Sequence, residues 1–274
     1  GWIYLAIIKS KKSRDPDILT WDQAMRDFPN LEGWMEAIAK EIRQLEEKNC
    51  WVECPKSEAY DAGEKIVPCT WTLKIKRNPA GDPIKLKARI CLRGDLMDQT
   101  EDNFAPVCFF STVRFVLVAA MILGWYTVSV DWANAFTQAT LDKPIYMSTP
   151  RGFRNKYGSA GCLRLVKSLY SSCLAPKNWQ QHLQQALIND LGLTESPINP
   201  CLLYKKDLLL CLYVDDAAVA APTKKIVDDF VALFTGLPLW RRPILVIVGG
   251  ANSGTSLFAR HVLEQVLSLI HISE

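Results

Sequence analysis

Two adjacent carboxylates, Asp215 and Asp216, interrupt one of the most apolar stretches of the chain, "LLLCLYVDDAAVAA" at 208–221. Such a run belongs inside a sheet, where an uncompensated charge costs several kcal/mol. A third carboxylate, Asp131, closes the alternating run "YTVSVD" at 126–131, 84 residues before Asp215. If the two strands are neighbours, three acids meet at one end of a sheet. Like charges that close raise one another's pKa unless cations arrive. Mg2+ answers that need, because it takes one or two carboxylates and completes its shell with water and substrate phosphates. Two such ions about 3.5–4 Å apart can activate a 3′-hydroxyl and stabilise a leaving pyrophosphate. A lone Asp-Asp pair is commonest as a solvated turn. The apolar strands on both sides, and a second strand-ending Asp, lift this one above that reading.

The elements that must position these acids are legible as patterns. Residues 31–48 read as an amphipathic helix with Trp34, Ile38, Ile42 and Leu45 on one face and Asn30 as its N-cap. Residues 71–92, "WTLKIKRNPAGDPIKLKARICL", read as a β-hairpin turning at "NPAGD". One side of that ribbon is apolar and the other carries Lys74, Lys76, Lys85, Lys87 and Arg89, since strand side chains alternate faces. A face so charged suits either solvent or phosphates. "STVRFVLVAAMILGW" (111–125) reads as a buried helix capped by Ser111. "PIYM" and "CLRLV" read as short strands. A helix entered through Pro176 carries Trp179, Leu183, Leu187 and Leu191, and a last amphipathic helix carries Ile226, Phe230 and Phe234. Helices on one face of a mostly antiparallel sheet make the fold class α+β.

Composition removes several alternatives. At 49% hydrophobic and 22% charged, 274 residues can bury a core in one large domain or two small ones. The chain opens on Gly rather than Met, which reads as a piece of something longer. Neither "GWIYLAII" nor "FVLVAAMILGW" is long enough to span a bilayer, and the former lacks the flanks of a signal peptide. Nine cysteines show no paired C-x-x-C framework, so reduced, buried thiols fit better than a zinc site. The net charge of +3 conceals a local excess: residues 64–93 hold eight bases against two acids.

The order of these pieces resembles the reverse transcriptase of copia-type LTR retrotransposons, over about residues 15–235. "GWMEAIAKEIRQLEEKNCWVECP" is similar to that family's opening helix and its N-x-T-W strand. "VPCTWTLKIKRNPAGDPIKLKARICLRG" resembles its fingers hairpin, and "DNFAPVCFFSTVRFVLVAA" its E-T-F-A-P-V … T-I-R segment. "VSVDWANAFTQATLDKPIYMSTPRGF" resembles the polymerase A motif, "KSLYSSCLAPKNW" the K-S-L-Y-G-L-K-Q-A-P-R-x-W segment, and "LYVDD" the catalytic signature. The resemblance implies an RNA-directed DNA polymerase with fingers and palm subdomains. It would use two Mg2+ ions, or Mn2+ in their place, with dNTPs and an RNA or DNA template and primer. It implies Asp131 and Asp215 as metal ligands and Asp216 as their less directly engaged neighbour. Phe136 would be the bulky gate against a ribonucleotide 2′-hydroxyl, and Arg89, with Lys76 beside it, would contact the incoming triphosphate. Other parts of a retrotransposon polyprotein would be its partners, in the cytoplasm (a virus-like particle) or the nucleus, and no membrane is involved.

Departures accompany the match. Leu174 stands where the family has a Gln that helps seat the nucleotide, and Leu neither donates nor accepts a hydrogen bond. Ser171 replaces a Gly. The expected division is a leader at 1–14, a fingers-like part at 15–110, a palm at 111–235, and a tail at 236–274 outside the family. That tail, "ILVIVGGANSGTSLFA", has the layout of a phosphate loop, but Thr255 stands where the essential Lys would be. An active polymerase and a catalytically dead, truncated remnant that at most binds nucleic acid both remain open on these residues.

Overall fold

The computed structural model describes residues 15–97, 103–132, 134–236 and 245–249, with 234–236 and 245–249 described by backbone alone. The leader at 1–14 and the glycine-rich loop around Thr255 lie outside the described residues.

From Asp15 the chain forms strand β1 (Ile18–Leu19), helices α1 (Trp21–Arg26) and α2 (Leu31–Glu47), strand β2 (Trp51–Pro55), helix α3 (Lys56–Asp61) and strands β3 (Ile66–Val67), β4 (Cys69–Arg77) and β5 (Pro83–Leu92). Helix α4 (Phe110–Leu123) and strands β6 (Tyr126–Asp131), β7 (Thr140–Ser148) and β8 (Gly161–Lys167) follow. The remainder is helix α5 (Ala175–Gln185), strands β9 (Thr194–Glu195), β10 (Leu202–Lys205), β11 (Leu208–Tyr213) and β12 (Asp216–Ala221), helix α6 (Lys224–Gly236) and strand β13 (Leu245–Gly249). The class is α+β, with largely antiparallel sheets; β3 and β7 form a parallel pair.

The chain forms two compact units. The first joins the described residues up to Met97 with Asp142–Ser172, and the second joins those up to Leu141 with the chain from Cys173 onward. A single cut at 110 would divide it differently. The reason is strand pairing: β8 lies against β2 and β7 against β3, so 142–172 folds with the N-terminal elements.

In the first unit, β4 and β5 form the hairpin expected from the sequence, with Lys76 opposite Lys85 and Thr72 opposite Arg89. Its turn is tied by Asn78 and Asp82, whose backbone amides and side chains bond one another. Trp71, Leu73, Ala88 and Ile90 are buried, as the apolar side of the ribbon should be. The other side is not simply solvated, for Lys87 and Arg89 are half-buried. Helix α2 packs against β5 and buries Trp34, Ile38, Glu41 and Leu45. The acid Glu41 thus occupies a place on the buried stripe, while Ile42 is only half-buried. Asn30 does not cap this helix. Its side-chain amide donates to Asp27 at 3.1 and 3.0 Å instead, which removes it from the amides of the first turn.

In the second unit, six strands run in the order β13-β6-β12-β11-β10-β9. Val128, Val130, Leu210, Leu212, Ala217 and Val219 are buried in its core together with Trp179, Leu183 and Leu187. Helix α5 passes after Gln185 into a π-helical turn, Ala186–Asp190. Helix α4 corrects an expectation: it is amphipathic, not buried all round. Val113, Val116 and Ala120 face the core, while Phe115 is 58%, Met121 70% and Ile122 79% exposed. Ser111 does not cap it either, because the N-cap lies two residues earlier, at Phe109, and Ser111 falls inside the first turn. A left-handed Gly124 (φ +65°) ends it. No helix among the described residues is long and apolar enough to cross a membrane.

Truncation across the hairpin should therefore be asymmetric. Leu73→Ala, at a fully buried position, is expected to lower unfolding free energy by about 2–5 kcal/mol. Ile84→Ala, at a position 63% exposed, is expected to stay within about 0.5 kcal/mol. Urea melts of the two variants measure both.

Candidate active site

Strands β11 and β12 pair from Leu209–Ala220 down to Tyr213–Asp216, which leaves Val214 and Asp215 as a two-residue connection. Tight hairpin turns of this length need positive φ at their first central residue, a demand usually met by Gly. Here Val214 meets it at φ +57°. A β-branched residue in that region carries about 1–3 kcal/mol of strain, so its surroundings must hold it there. Trp179 supplies one hold, since its indole N–H donates to the Val214 carbonyl at 2.8 Å. The indole is itself fixed edge-on against Trp132, with ring centroids 6.0 Å apart.

Strand β12 pairs on its other side with β6, and the register sets Asp216 directly opposite Asp131. The Trp132 amide donates to the Asp215 carbonyl at 3.0 Å, which extends the ladder past the acids. Three carboxylates therefore cluster at one end of a sheet whose interior is closely packed and apolar. Burial, then the charges of Asp215 and Asp131, push the Asp216 carboxyl up to about 6. Among the described residues no three His, Cys, Asp or Glu side chains are gathered tightly enough to enclose a metal ion by themselves. A site that shares its cation with substrate phosphates has no need of such a cage. The donor set, hard oxygens bearing mutual repulsion, fits a divalent cation.

Phe136 lies a few residues beyond Asp131, in a 3-10 turn, Ala135–Gln138, entered through Asn134 at φ +54°. The Thr137 hydroxyl donates to the Asn134 carbonyl at 2.9 Å and closes that turn. Phe136 is half-buried and rests against the core of the second unit. In the same unit Leu174 begins α5, where its carbonyl accepts from the Asn178 amide at 3.0 Å and its side chain has no polar atom to offer.

Arg89 and Lys76 belong to the first unit, on the two strands of the basic hairpin. They are close enough to one face that both act on Lys87, whose ammonium is pushed down to about 8, by burial first and then by Arg89 and Lys76. The Arg89 guanidinium lies over the Tyr170 ring at 5.1 Å. Ser171, next to Tyr170, has φ +64°. The backbone here keeps the left-handed shape that suits the Gly of the resembled motif, although the residue has changed.

Several members of this arrangement carried no sequence signal. Trp179 read as one more apolar residue on a helical stripe, and its indole N–H is what ties the turn. Val214 read as part of an apolar strand, and only its dihedral marks it.

A chain with carboxylates gathered at a sheet end, and a basic hairpin in its other unit, has the equipment of the template-directed polymerases as a class. Its residues 53–235 match the family described as Reverse transcriptase (RNA-dependent DNA polymerase), and the chain belongs to that family. It is of the copia type. Among its relatives, the Retrovirus-related Pol polyprotein from transposon RE1 of Arabidopsis thaliana is 30% identical over 205 residues, or 72% of this chain and 13% of the relative. The corresponding polyprotein from transposon TNT 1-94 of Nicotiana tabacum is 25% identical, covering 78% of this chain and 16% of the relative. A Truncated transposon Ty1-A Gag-Pol polyprotein of Saccharomyces cerevisiae is 27% identical, covering 77% and 18%. The chain thus spans less than a fifth of the length of these curated relatives. Among solved structures, a telomerase from Candida albicans aligns over 82% of this chain and 47% of its own, at 10% identity and a TM-score of 0.44.

Two outcomes follow for the carboxylate turn. Val214→Gly should gain about 0.5–1 kcal/mol in a thermal melt, as relieved strain outweighs the flexibility Gly adds to the unfolded chain. Asp216 has a folded pKa above its unfolded one. In metal-free protein its contribution to stability is therefore present below about pH 4 and lost as pH rises through about 6. Melts across that range should show the loss, and Asp216→Asn should remove it.

Proposed function

We propose that this chain is the polymerising part of a retrotransposon reverse transcriptase, performing nucleotidyl transfer with dNTPs on a primed RNA or DNA template. The observation that carries the reading is the pairing of Asp131 with Asp216, with Asp215 in the adjoining turn. On this reading the carboxylate-bearing sheet is the palm and the basic hairpin belongs to the fingers. Asp131 and Asp215 would hold divalent cations, Mg2+ or Mn2+, with Asp216 as the neighbouring charge. When bound, such ions lower the pKa of the primer 3′-hydroxyl and neutralise charge on the transferring phosphate.

The chain's own residues supply the rest. Asp131 and Asp215 would hold the cations with Asp216 beside them, and the tied Val214 turn keeps the carboxylates from swinging apart. Phe136 crowds the position of a 2′-hydroxyl and so favours deoxynucleotides. Arg89 offers a planar, bidentate donor to the triphosphate, and Lys76 a second positive charge. The remaining parts of the polyprotein would be its partners.

One observation favours a second reading, a catalytically dead, truncated remnant that at most binds nucleic acid: Leu174 has no polar atom where the family's Gln seats the nucleotide.

Primer extension on poly(rA)/oligo(dT) with Mg2+ separates the two. The active reading expects extension, with Asp131→Asn and Asp215→Asn each lowering it by at least about a hundredfold. Extension that survives Asp215→Asn would sink the role given to that residue. If the chain is silent and Leu174→Gln restores synthesis, Leu174 is the lesion; if both are silent, the remnant reading stands.

A further inference from the structure

The cysteines of the chain are all free thiols, and two of them meet inside the second unit: Cys108 Sγ lies 3.0 Å from Cys211 Sγ. They are 103 positions apart in the sequence, so the fold alone brings them together. Cys211 sits in the middle of β11, opposite Leu202 of β10 on one side and Ala218 of β12 on the other. Cys108 immediately precedes Phe109, the N-cap of α4. Both thiols are buried, but Val107 and Phe109 on either side of Cys108 are exposed, so this sulfur lies just beneath the surface.

The two sulfurs are not equivalent. The N-terminus of a helix favours negative charge, and Cys108 stands at one. The Thr112 hydroxyl oxygen accepts from the Asn199 side-chain amide at 2.7 Å, which leaves its hydrogen for another acceptor. The S–H of Cys211 first, then Thr112 and the Val113 amide, hold the Cys108 thiol below its ordinary range, against burial. Cys211 moves the other way, pushed up by its bond to Cys108 and by burial. One proton thus lies between the two sulfurs, carried by Cys211. The neighbouring thiols differ. Cys201 spends its S–H on the Pro106 carbonyl at 3.5 Å, and burial pushes it up to about 12. In the first unit Cys54 and Cys162 also approach, at 3.4 Å, but burial pushes Cys54 up to about 12.

We propose that Cys108 and Cys211 are a modification site, a peroxide-reactive dithiol that closes reversibly into a disulfide and staples the entry of α4 to β11. A disulfide bond is about 2.05 Å long, so the sulfurs have only about 1 Å to travel. In the first step the Cys108 thiolate attacks hydrogen peroxide. An S–O bond forms, the O–O bond breaks and hydroxide departs. In the second, the Cys211 sulfur attacks the sulfenic sulfur, the S–O bond breaks, and the hydroxyl leaves with the Cys211 proton as water. The hydroxide takes the proton that Cys108 gave up, so two thiols and one peroxide yield one disulfide and two waters. Thiol reductants reverse the bridge by exchange. None of this depends on the polymerase reading.

The test treats the reduced, full chain with hydrogen peroxide, unfolds it in N-ethylmaleimide to block the remaining thiols, and digests it for mass spectrometry. The Cys108 and Cys211 peptides should appear joined, two hydrogens lighter than the separate thiols, and should part after dithiothreitol. The bridge closes a loop of about a hundred residues, so the oxidised chain should melt about 5–10 °C higher. Cys108→Ser should slow the peroxide-dependent loss of the Cys211 thiol at least about tenfold. Cys211→Ser should stop Cys108 at the sulfenic acid, which dimedone traps. Cys211 recovered as its maleimide adduct overturns the proposal, whether Cys108 is then a thiol or a sulfinic acid. So does a Cys54–Cys162 bridge that forms as fast, and so does a Cys108–Cys201 bridge in place of the one expected. These outcomes are read on the unaltered chain and stand even if a serine variant does not fold.

Discussion

The pairing of β12 with β6 is the interaction on which the rest of the second unit depends. It sets like charges face to face, Asp216 opposite Asp131. The ladder must therefore be stable enough to hold groups that repel, and its composition shows how. Behind the acids, Ala217 and Val219 on one strand, and Val128 and Val130 on the other, are all at most 3% exposed. Each buried valine contributes about 1.5–3 kcal/mol by leaving water, and the alanine methyl about 0.8 kcal/mol. Small residues on β12 let α4 and α6 approach closely, and the packed helices leave the strand no room to relax. Hydrophobic burial thus supplies the force that keeps the carboxylates together.

How far this was legible in the sequence depended on which force decided each element. Period-two alternation gave the basic hairpin and β6, because backbone pleating alone dictates which side a residue takes. The acids of "YVDD" stood out because charge inside an apolar run is costly wherever it occurs. The caps failed at Asn30, where a nearby side chain took the hydrogen bond, and at Ser111, where the helix starts two residues earlier than a cap there requires. Glu41 was missed for a related reason. Helical spacing admits either Ile42 or Glu41 on the buried stripe, hydrophobicity alone selects the isoleucine, and the cations of β5 that favour the acid come from a segment more than forty residues away. Helix α4 looked buried because nearly all its residues are apolar, yet a helix resting on one face of a sheet can bury only one stripe of itself.

The turn at Val214 illustrates how a local misfit is sustained. Neither the residue type nor its neighbours favour a left-handed conformation, and no propensity argument would place it there. A single indole N–H from α5, a helix that begins at Ala175, holds it. Ser171 presents the same situation in the first unit without so visible a support. In both places the backbone shape has been kept where the side chain is not suited to it.

Strand β6 has one further consequence. It is bonded on both sides, to β12 and to β13, and in both ladders Asp131 has a partner, Asp216 in one and Leu245 in the other. A sliding error of one position would have to break two rows of hydrogen bonds at once. It would also exchange Asp131 for Val130 and turn every side chain of the strand to the opposite face. The doubly bonded strand works as a lock with two keyways, so that the first carboxylate is indexed to its position during folding and not merely attracted to it afterwards.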